Sequence, residues 1–417
     1  MERKHSAIAM MTFFTIVFTN SILFSMEPQG EYPLVTFKWI KSAIESQNIT
    51  TIDKLISVLP ERYRENFVLM KSSQSSQGAT PERPRIIMFG DGDTTILSFN
   101  GDENQRGFDK IELMEFKKDS SQFELREIDF SNSKPQFSQV NPPRCLKCHR
   151  EKEARPNWRK YPNWPEAYGA NDDILSAEET SSLKKFLLES PNLQRYRHLI
   201  YDKNANLGPF SLEKKGDPRY RPNMRLTKLL VRLQAKSLYR QMKSSPHFKL
   251  HRDLIILRSE GGRYTGDVNE SGFPFGHYSK PMDLYNPLRD IYKEANSYFN
   301  EISKEVGITQ ADWTLEFEPV NSKNGTWNYY SEGRAGMENF VLGELWRDLI
   351  LDEPDLARFY RPGTDYPSYP WLDKLGSQVK SALFYGEKPN EELNQALLNS
   401  VARNQNLMRQ SICSKFY

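Results

Sequence analysis

Apolar and polar positions change period twice along this chain. Between residues 27 and 60, "FKWIKSAIESQ" and "TIDKLISVLP" carry apolar residues at helical spacing, and Pro60 ends the second run. The polar tract "KSSQSSQGATPERP" then reads as a loop. Beyond it the period drops to two. "RIIMF", "TTILSF", "DKIELMEFK" and "QFELREIDF" alternate apolar with polar residues and are separated by Gly-Asp, Asn-Gly-Asp and Lys-Asp-Ser-Ser turns. The pattern predicts an antiparallel meander of about four strands ending near Phe130.

Past Pro143 the helical period returns, punctuated by prolines. Ser176 and Glu179 form a capping-box pattern that opens a helix toward Glu189. "PNMRLTKLLVRLQAKSLYRQMK" is the strongest helical run, with Pro222 in its first turn, and "LRDIYKEANSYFNEISKEVG" is closed by Gly307. "WTLEFEPV" and "TWNYYSEG" look strand-like, and "MENFVLGELWRDLILDEP" and "EELNQALLNSVARNQNLMRQ" supply the last helices. The expected class is α+β, a mainly helical region preceded by a small antiparallel β-meander. The expected divisions are a leader over 1–25, N-terminal helices plus meander over 26–140, a helical region over 141–260, and a mixed, mainly helical region over 261–417.

The leader is read from Arg3 and Lys4, the apolar run from Ala7 to Phe18, and the polar residues Thr19, Asn20 and Ser21, with cleavage near Ser25. The rival is an uncleaved anchor over Ala7 to Met26, which Thr15, Thr19, Asn20 and Ser21 weaken. Membrane association is expected only if that segment is retained. The 57 basic and 54 acidic residues leave a net charge of +3, which gives no reason to expect nucleic acid as a partner.

Export makes the cysteines informative. The chain has 3, Cys145, Cys148 and Cys413, too few for a disulfide framework. Cys413 stands alone, as a free thiol or one that pairs between chains. The other two lie in "NPPRCLKCHREKEARPNW", with His149 directly after Cys148. A zinc site would need two further ligands, which the remaining cysteine and scattered histidines supply only loosely. A redox dithiol would follow a parallel strand, whereas a meander and Pro142-Pro143 precede this pair. The third reading is a covalent haem: thiols at this spacing reach both vinyl groups, and His149 then presents its imidazole to the iron. This reading is preferred over the other two. Haem attachment takes place outside the bacterial inner membrane, so it requires the export that the leader suggests.

Residues 145–149 resemble the attachment site of c-type cytochromes. The wider stretch "CLKCHREKEARPNWRKYPNWPEAYGANDD" resembles a group of large, exported, single-haem bacterial proteins without an assigned activity. In that group C-x-x-C-H is followed by R-P-x-W, Tyr, W-P and Y-G elements and later by an arginine- and leucine-rich helix. The resemblance implies one haem c on Cys145 and Cys148, with His149 as its axial ligand. The leader and the site of haem attachment together lead to an expected location in the periplasm of a Gram-negative bacterium, or, with the leader retained, anchored in the inner membrane facing the periplasm.

A low-spin carrier needs a second axial ligand. Met224, just inside a proline-led helix start, is the first candidate, although the plainer reading, a methionine filling the apolar face of its helix, is preferred for it. His198 is the alternative, with a satisfied surface or core histidine as its plainer reading, and Met242, His247, His251, His277, Met282 and Met337 complete the set. Arg219 and Arg221 are candidate partners for the haem propionates. Arg221, Arg225, Lys228, Arg232, Lys236, Arg240 and Lys243 form a basic stripe, read first as a face pairing with Asp and Glu elsewhere. Trp158, Tyr161, Trp164 and Tyr168 could wall a haem or pack a proline-rich loop. No nucleophile or paired-carboxylate constellation can be assigned, so no catalytic residue is named. The expected function is single-electron transfer to a redox partner protein. The alternatives are a peroxidase- or oxidase-like haem enzyme with an open sixth site, and a haem-containing sensor or binding protein.

Overall fold

Thr36 and Thr51 start the first two helices by the same device. Each side chain accepts a hydrogen bond from the backbone N–H three residues on, Trp39 at 3.1 Å and Lys54 at 3.3 Å, satisfying donors that a helix start leaves open. The helices are α1 (Phe37–Ser46) and α2 (Ile52–Val58), and after Pro60 a single turn, α3 (Glu61–Arg64), leads into the sheet.

The computed structural model describes residues 34–90, 93–150, 152–157, 166–170, 175–201, 222–248 and 300–314, together with 341, 344, 345, 347–349, 351, 352 and 357. The chain divides into two compact units, Met1–Leu34 and Val35–Tyr417, and Leu34 apart the described residues belong to the second. The leader over 1–25, Arg219, Arg221 and Cys413 lie outside the described residues. Among the described residues no helix is long and apolar enough to cross a membrane.

The sheet has six antiparallel strands in sequence order: β1 (Phe67–Met70), β2 (Arg85–Phe89), β3 (Thr95–Phe99), β4 (Lys110–Lys117), β5 (Gln122–Asp129) and β6 (Gln136–Phe137). The four strands expected from alternation are β2 to β5. The two additions were hidden for different reasons. β1, "FVLM", is buried at every position and so shows no alternation, and β6 is a two-residue pairing with Ile128 and Asp129. With several helices around this sheet, the described protein is mixed α+β.

Both faces of the sheet are covered. One carries Phe67, Leu69, Ile86, Met88, Leu97, Phe99, Ile111, Leu113 and Ile128 against α1 to α3, α5 (Ala177–Glu189) and Tyr196. The capping box expected at Ser176 and Glu179 forms, with bonds of 3.1 and 2.9 Å. The opposite face carries Val68, Met70, Ile87, Phe89 and Ile96 against α6 (Pro222–Lys243), and Phe116, Phe123 and Leu125 against Leu233. The sheet and the residues after position 140 therefore share these cores across the boundary expected there. Helix α6 spans the whole run read as helical, but it is buried on most of its circumference.

Helical residues 300–305 end at Gly307, whose φ of 74° suits a residue without a side chain. Helix α7 (Gln310–Thr314) follows. The strand expected from Trp313 onward is thus corrected at its start: Trp313 and Thr314 close a helix whose first turn Asp312 caps by accepting from Thr309 N at 2.6 Å. The rest of that run lies outside the described residues.

Candidate functional site

The motif occupies helix α4 (Pro143–His149), and the edge of β5 explains where it sits. Past β6 the chain stays beside β5. Glu127 N donates to Ser138 Oγ at 2.9 Å, and Leu125 N donates to Asn141 Oδ1 at 2.8 Å while Asn141 N returns a bond of 2.8 Å to Leu125 O. Asn141, at φ 51°, turns the chain away, and Pro143 in the first turn starts the helix without wasting a donor. Helix α4 then lies on the α6 side of the sheet, where Cys145 and Leu146 pack against the cluster of Phe116, Phe123, Leu125, Ala154 and Leu233.

Cys145 is half-buried and Cys148 exposed, and neither is in a disulfide. Burial pushes the Cys145 thiol up, with the Glu112 carboxylate adding to it and the Arg144 guanidinium opposing. That is the reverse of the lowered thiol a redox dithiol uses. Among the described residues no three His, Cys, Asp or Glu side chains converge to hold a bare metal ion.

His149 ends the helix with its ring fixed. Its Nδ1 lies 2.8 Å from the backbone carbonyl of Arg155, which can only accept, so Nδ1 carries the proton. Arg155 N–H in turn donates to His149 O at 2.9 Å, closing the segment after the helix into a ring. Among the described residues Nε2 makes no hydrogen bond and keeps its lone pair. Burial lowers the His149 pKa, while the bond to Arg155 and the Glu112 charge act against that shift. The imidazole is therefore neutral at neutral pH, the form a metal requires.

A polar row crosses the sheet beneath this helix. Ser98 on β3 faces Glu112 on β4, which faces Glu127 on β5. Arg85 on β2 donates to Glu112 Oε2 at 2.6 Å and to Ser98 Oγ at 2.8 Å, and Arg144 of α4 pairs with Glu127. Burial raises the Glu112 carboxyl, but Arg85, Ser76, His149 and Ser98 together hold it below the usual carboxylate range.

The other expected residues are not all brought here. His198, in a 3-10 turn, bonds Asp53 Oδ1 through Nε2 at 2.9 Å and lies on the opposite face of the sheet from α4. Met224 falls in the first turn of α6, and its side chain lies outside the described residues. Met242 is buried in the α6 core and His247 pairs with Glu305 at 3.1 Å, while His251, His277, Met282 and Met337 lie outside the described residues. Tyr168 packs with α5 on the far face and donates to Pro81 O at 2.8 Å; Trp158, Tyr161 and Trp164 lie outside the described residues. In the basic stripe, Arg240 pairs with Glu153 at 2.9 Å and Lys243 with Asp352 at 3.3 Å.

The fold and this site define a class in coarse terms: an α+β protein whose six-stranded antiparallel sheet carries a C-x-x-C-H helix on one covered face. No family model matches the chain, and no curated protein or solved structure matches it.

Proposed function

We propose that the chain is an exported c-type cytochrome that passes single electrons to a redox partner protein, with one haem c held by thioethers to Cys145 and Cys148. The observation that carries this reading is the His149 ring: Nδ1–H is spent on the Arg155 carbonyl, which leaves Nε2 unbonded among the described residues and fit to bind iron. Both thiols stand on the same short helix as that ring, unpaired, one beside an apolar cluster and one exposed. When bound, haem supplies a one-electron iron couple. The chain's own part is to fix the tautomer of His149, to exclude water around Cys145 with Phe116, Phe123, Leu125 and Leu233, and to tie the loop after the helix. His198 is committed to Asp53 on the other face, so Met224 is retained as the distal candidate.

The test is coexpression with bacterial haem-attachment machinery. The expected product carries one covalent haem by mass, is reduced by one electron, and shows sharp low-spin bands insensitive to carbon monoxide. Cys145→Ser and Cys148→Ser each remove one thioether. A wild-type product without covalent haem refutes the reading. A covalent haem with a high-spin spectrum that shifts with peroxide or carbon monoxide sinks the carrier role.

A further inference from the structure

Just after α4, two arginines converge on one buried carboxylate. Asp312 of α7 is fully buried, and its Oδ1 accepts from Arg150 Nη1 at 2.8 Å and pairs with Arg155 Nε at 3.2 Å. Its Oδ2 is taken by Thr309, through N–H at 2.6 Å and Oγ1 at 2.7 Å. Both oxygens are engaged, so the carboxylate has one orientation. Its backbone carbonyl accepts from Gln234 Nε2 at 3.0 Å, which seats α7 on α6. Arg150 also donates to Gly307 O.

We propose that Asp312 is a positioning residue for the iron-binding imidazole: by pinning Arg150 and Arg155 it holds the Arg155 carbonyl against His149 Nδ1–H, and so sets how strongly the ring donates to iron. This rests on the haem reading above. The acceptor is a backbone atom of a loop, and a hydrogen bond weakens steeply when distance or angle drifts. The loop starts at Arg150 with φ 75°, a region that a residue with a side chain occupies only when its surroundings enforce it. Asp312 supplies that enforcement through a charge-assisted bond to Arg150 at one end of the loop and an ion pair with Arg155 at the other, and Glu153 adds a third tie to Arg240 at 2.9 Å. A firm Nδ1–H···O bond makes Nε2 more basic, which favours the oxidised iron and lowers the potential.

Charge alone and positioning predict opposite signs in one variant. Arg150→Gln removes a positive charge, which by itself lowers the midpoint potential. If the clamp positions the carbonyl, loosening it weakens the His149 bond and raises the potential. The experiment uses full-length haem-loaded protein, wild type, Arg150→Gln and Asp312→Asn. Midpoint potential and solvent exchange of the His149 Nδ1 proton by NMR are measured. The expected result is a higher potential and faster exchange in both variants. A fall or no change in potential for Arg150→Gln, with unchanged exchange, overturns the proposal. Should Asp312→Asn fail to fold, Arg150→Gln decides alone, because that side chain is 23% exposed and its loss is tolerable. Wild-type protein lacking covalent haem instead fails the haem reading. A purely structural clamp would shift the urea midpoint and leave both readouts where they were.

Discussion

Replacing Arg85 by methionine removes the cation from the polar row under α4 and keeps most of its apolar stem. Arg85 holds Glu112 Oε2 at 2.6 Å, Ser98 Oγ at 2.8 Å and Gln77 Oε1 at 2.8 Å, and Gln77 Nε2 donates on to Ser98 O at 3.1 Å and Lys110 O at 2.8 Å. The two charged side chains are 13% and 21% exposed, so the pair is largely out of water. Breaking such a pair from one side costs about 3–5 kcal/mol, because the remaining charge stays buried. Glu112 keeps the Ser76 and Ser98 hydroxyls and some solvent, which places the expected loss near the lower end, about 3 kcal/mol. The pH dependence has a definite sign. With Arg85 present the carboxyl lies below its ordinary value, so its stabilisation is present above that value and lost as pH falls through the folded one. Without Arg85 burial dominates and the carboxyl rises, so the variant's deficit is largest at neutral pH and shrinks as acid protonates Glu112. Urea unfolding followed by circular dichroism at neutral pH and near pH 4.5 would show both effects. The double variant Arg85→Met/Glu112→Met should recover most of the loss, since neither member of the pair is then left as an unpaired buried charge. A deficit under about 1 kcal/mol at neutral pH, or a double variant no better than the single, refutes the reasoning.

Three further outcomes follow from the same geometry. Burial holds the His149 pKa below its ordinary value, so protein made without haem should lose stability as pH falls from about 6.5 toward that lower value. His149→Gln should flatten this interval in thermal melts, and an unchanged slope contradicts it. His198→Gln should leave the absorption spectrum of haem-loaded protein as in wild type, because His198 is bonded to Asp53 on the far face; a shift of the reduced bands would reinstate it as a ligand. Leu233→Ala should cost about 2–5 kcal/mol, since Leu233 joins α6 to Phe116, Phe123 and Leu125 beside Cys145, and a urea midpoint matching wild type would show that this contact is dispensable.

Local pattern accounts for what could be read in advance. Strands β4 and β5 alternate in burial, whereas β2 and β3 are nearly all buried because both faces of the sheet are covered, and they were legible from their apolar runs and the turns that bound them, with Arg85, Ser98 and Glu112 the polar residues on the α4 and α6 side. Strand β1 is apolar on both faces and resembles any short core segment. The C-x-x-C-H helix was legible because Cys145, Cys148 and His149 fall within five residues, and Pro143 marked its start. Its surroundings were not. Glu112 reads as an ordinary outward strand residue until pairing sets it opposite Glu127 and beside Arg85. Arg155 was noticed as part of an R-P-x-W element, whereas its contribution lies in a backbone carbonyl, which no side-chain pattern reveals. Asp312 is 162 residues beyond its partner Arg150, between the helix closed by Gly307 and the run expected as a strand from Trp313, where no pattern singled it out.

Chain length gives weight to the enzyme and sensor alternatives, since a carrier needs only about a hundred residues around its haem. The contacts around the motif weaken that argument. The backbone carbonyl facing His149 belongs to a short loop held locally by Ala154 in the apolar cluster and by the bond from Arg155 N–H to His149 O, and it has longer-range ties besides. It is tied to α6 through Glu153 and Arg240, and to α7 through Asp312; α7 is itself fastened to α6 by Gln234. On the proposal above, residues up to Asp312 serve to orient one imidazole, and the same helices close the second face of the sheet beside Cys145. Under the electron-transfer reading this is a physical use for length. A rigid ligand and a dry wall reduce the rearrangement that accompanies a change of iron charge, and both are built here from residues distant in sequence. Among the described residues several charged groups around the motif serve this framework as pairs: Arg85 with Glu112, Arg144 with Glu127, and Arg150 and Arg155 with Asp312.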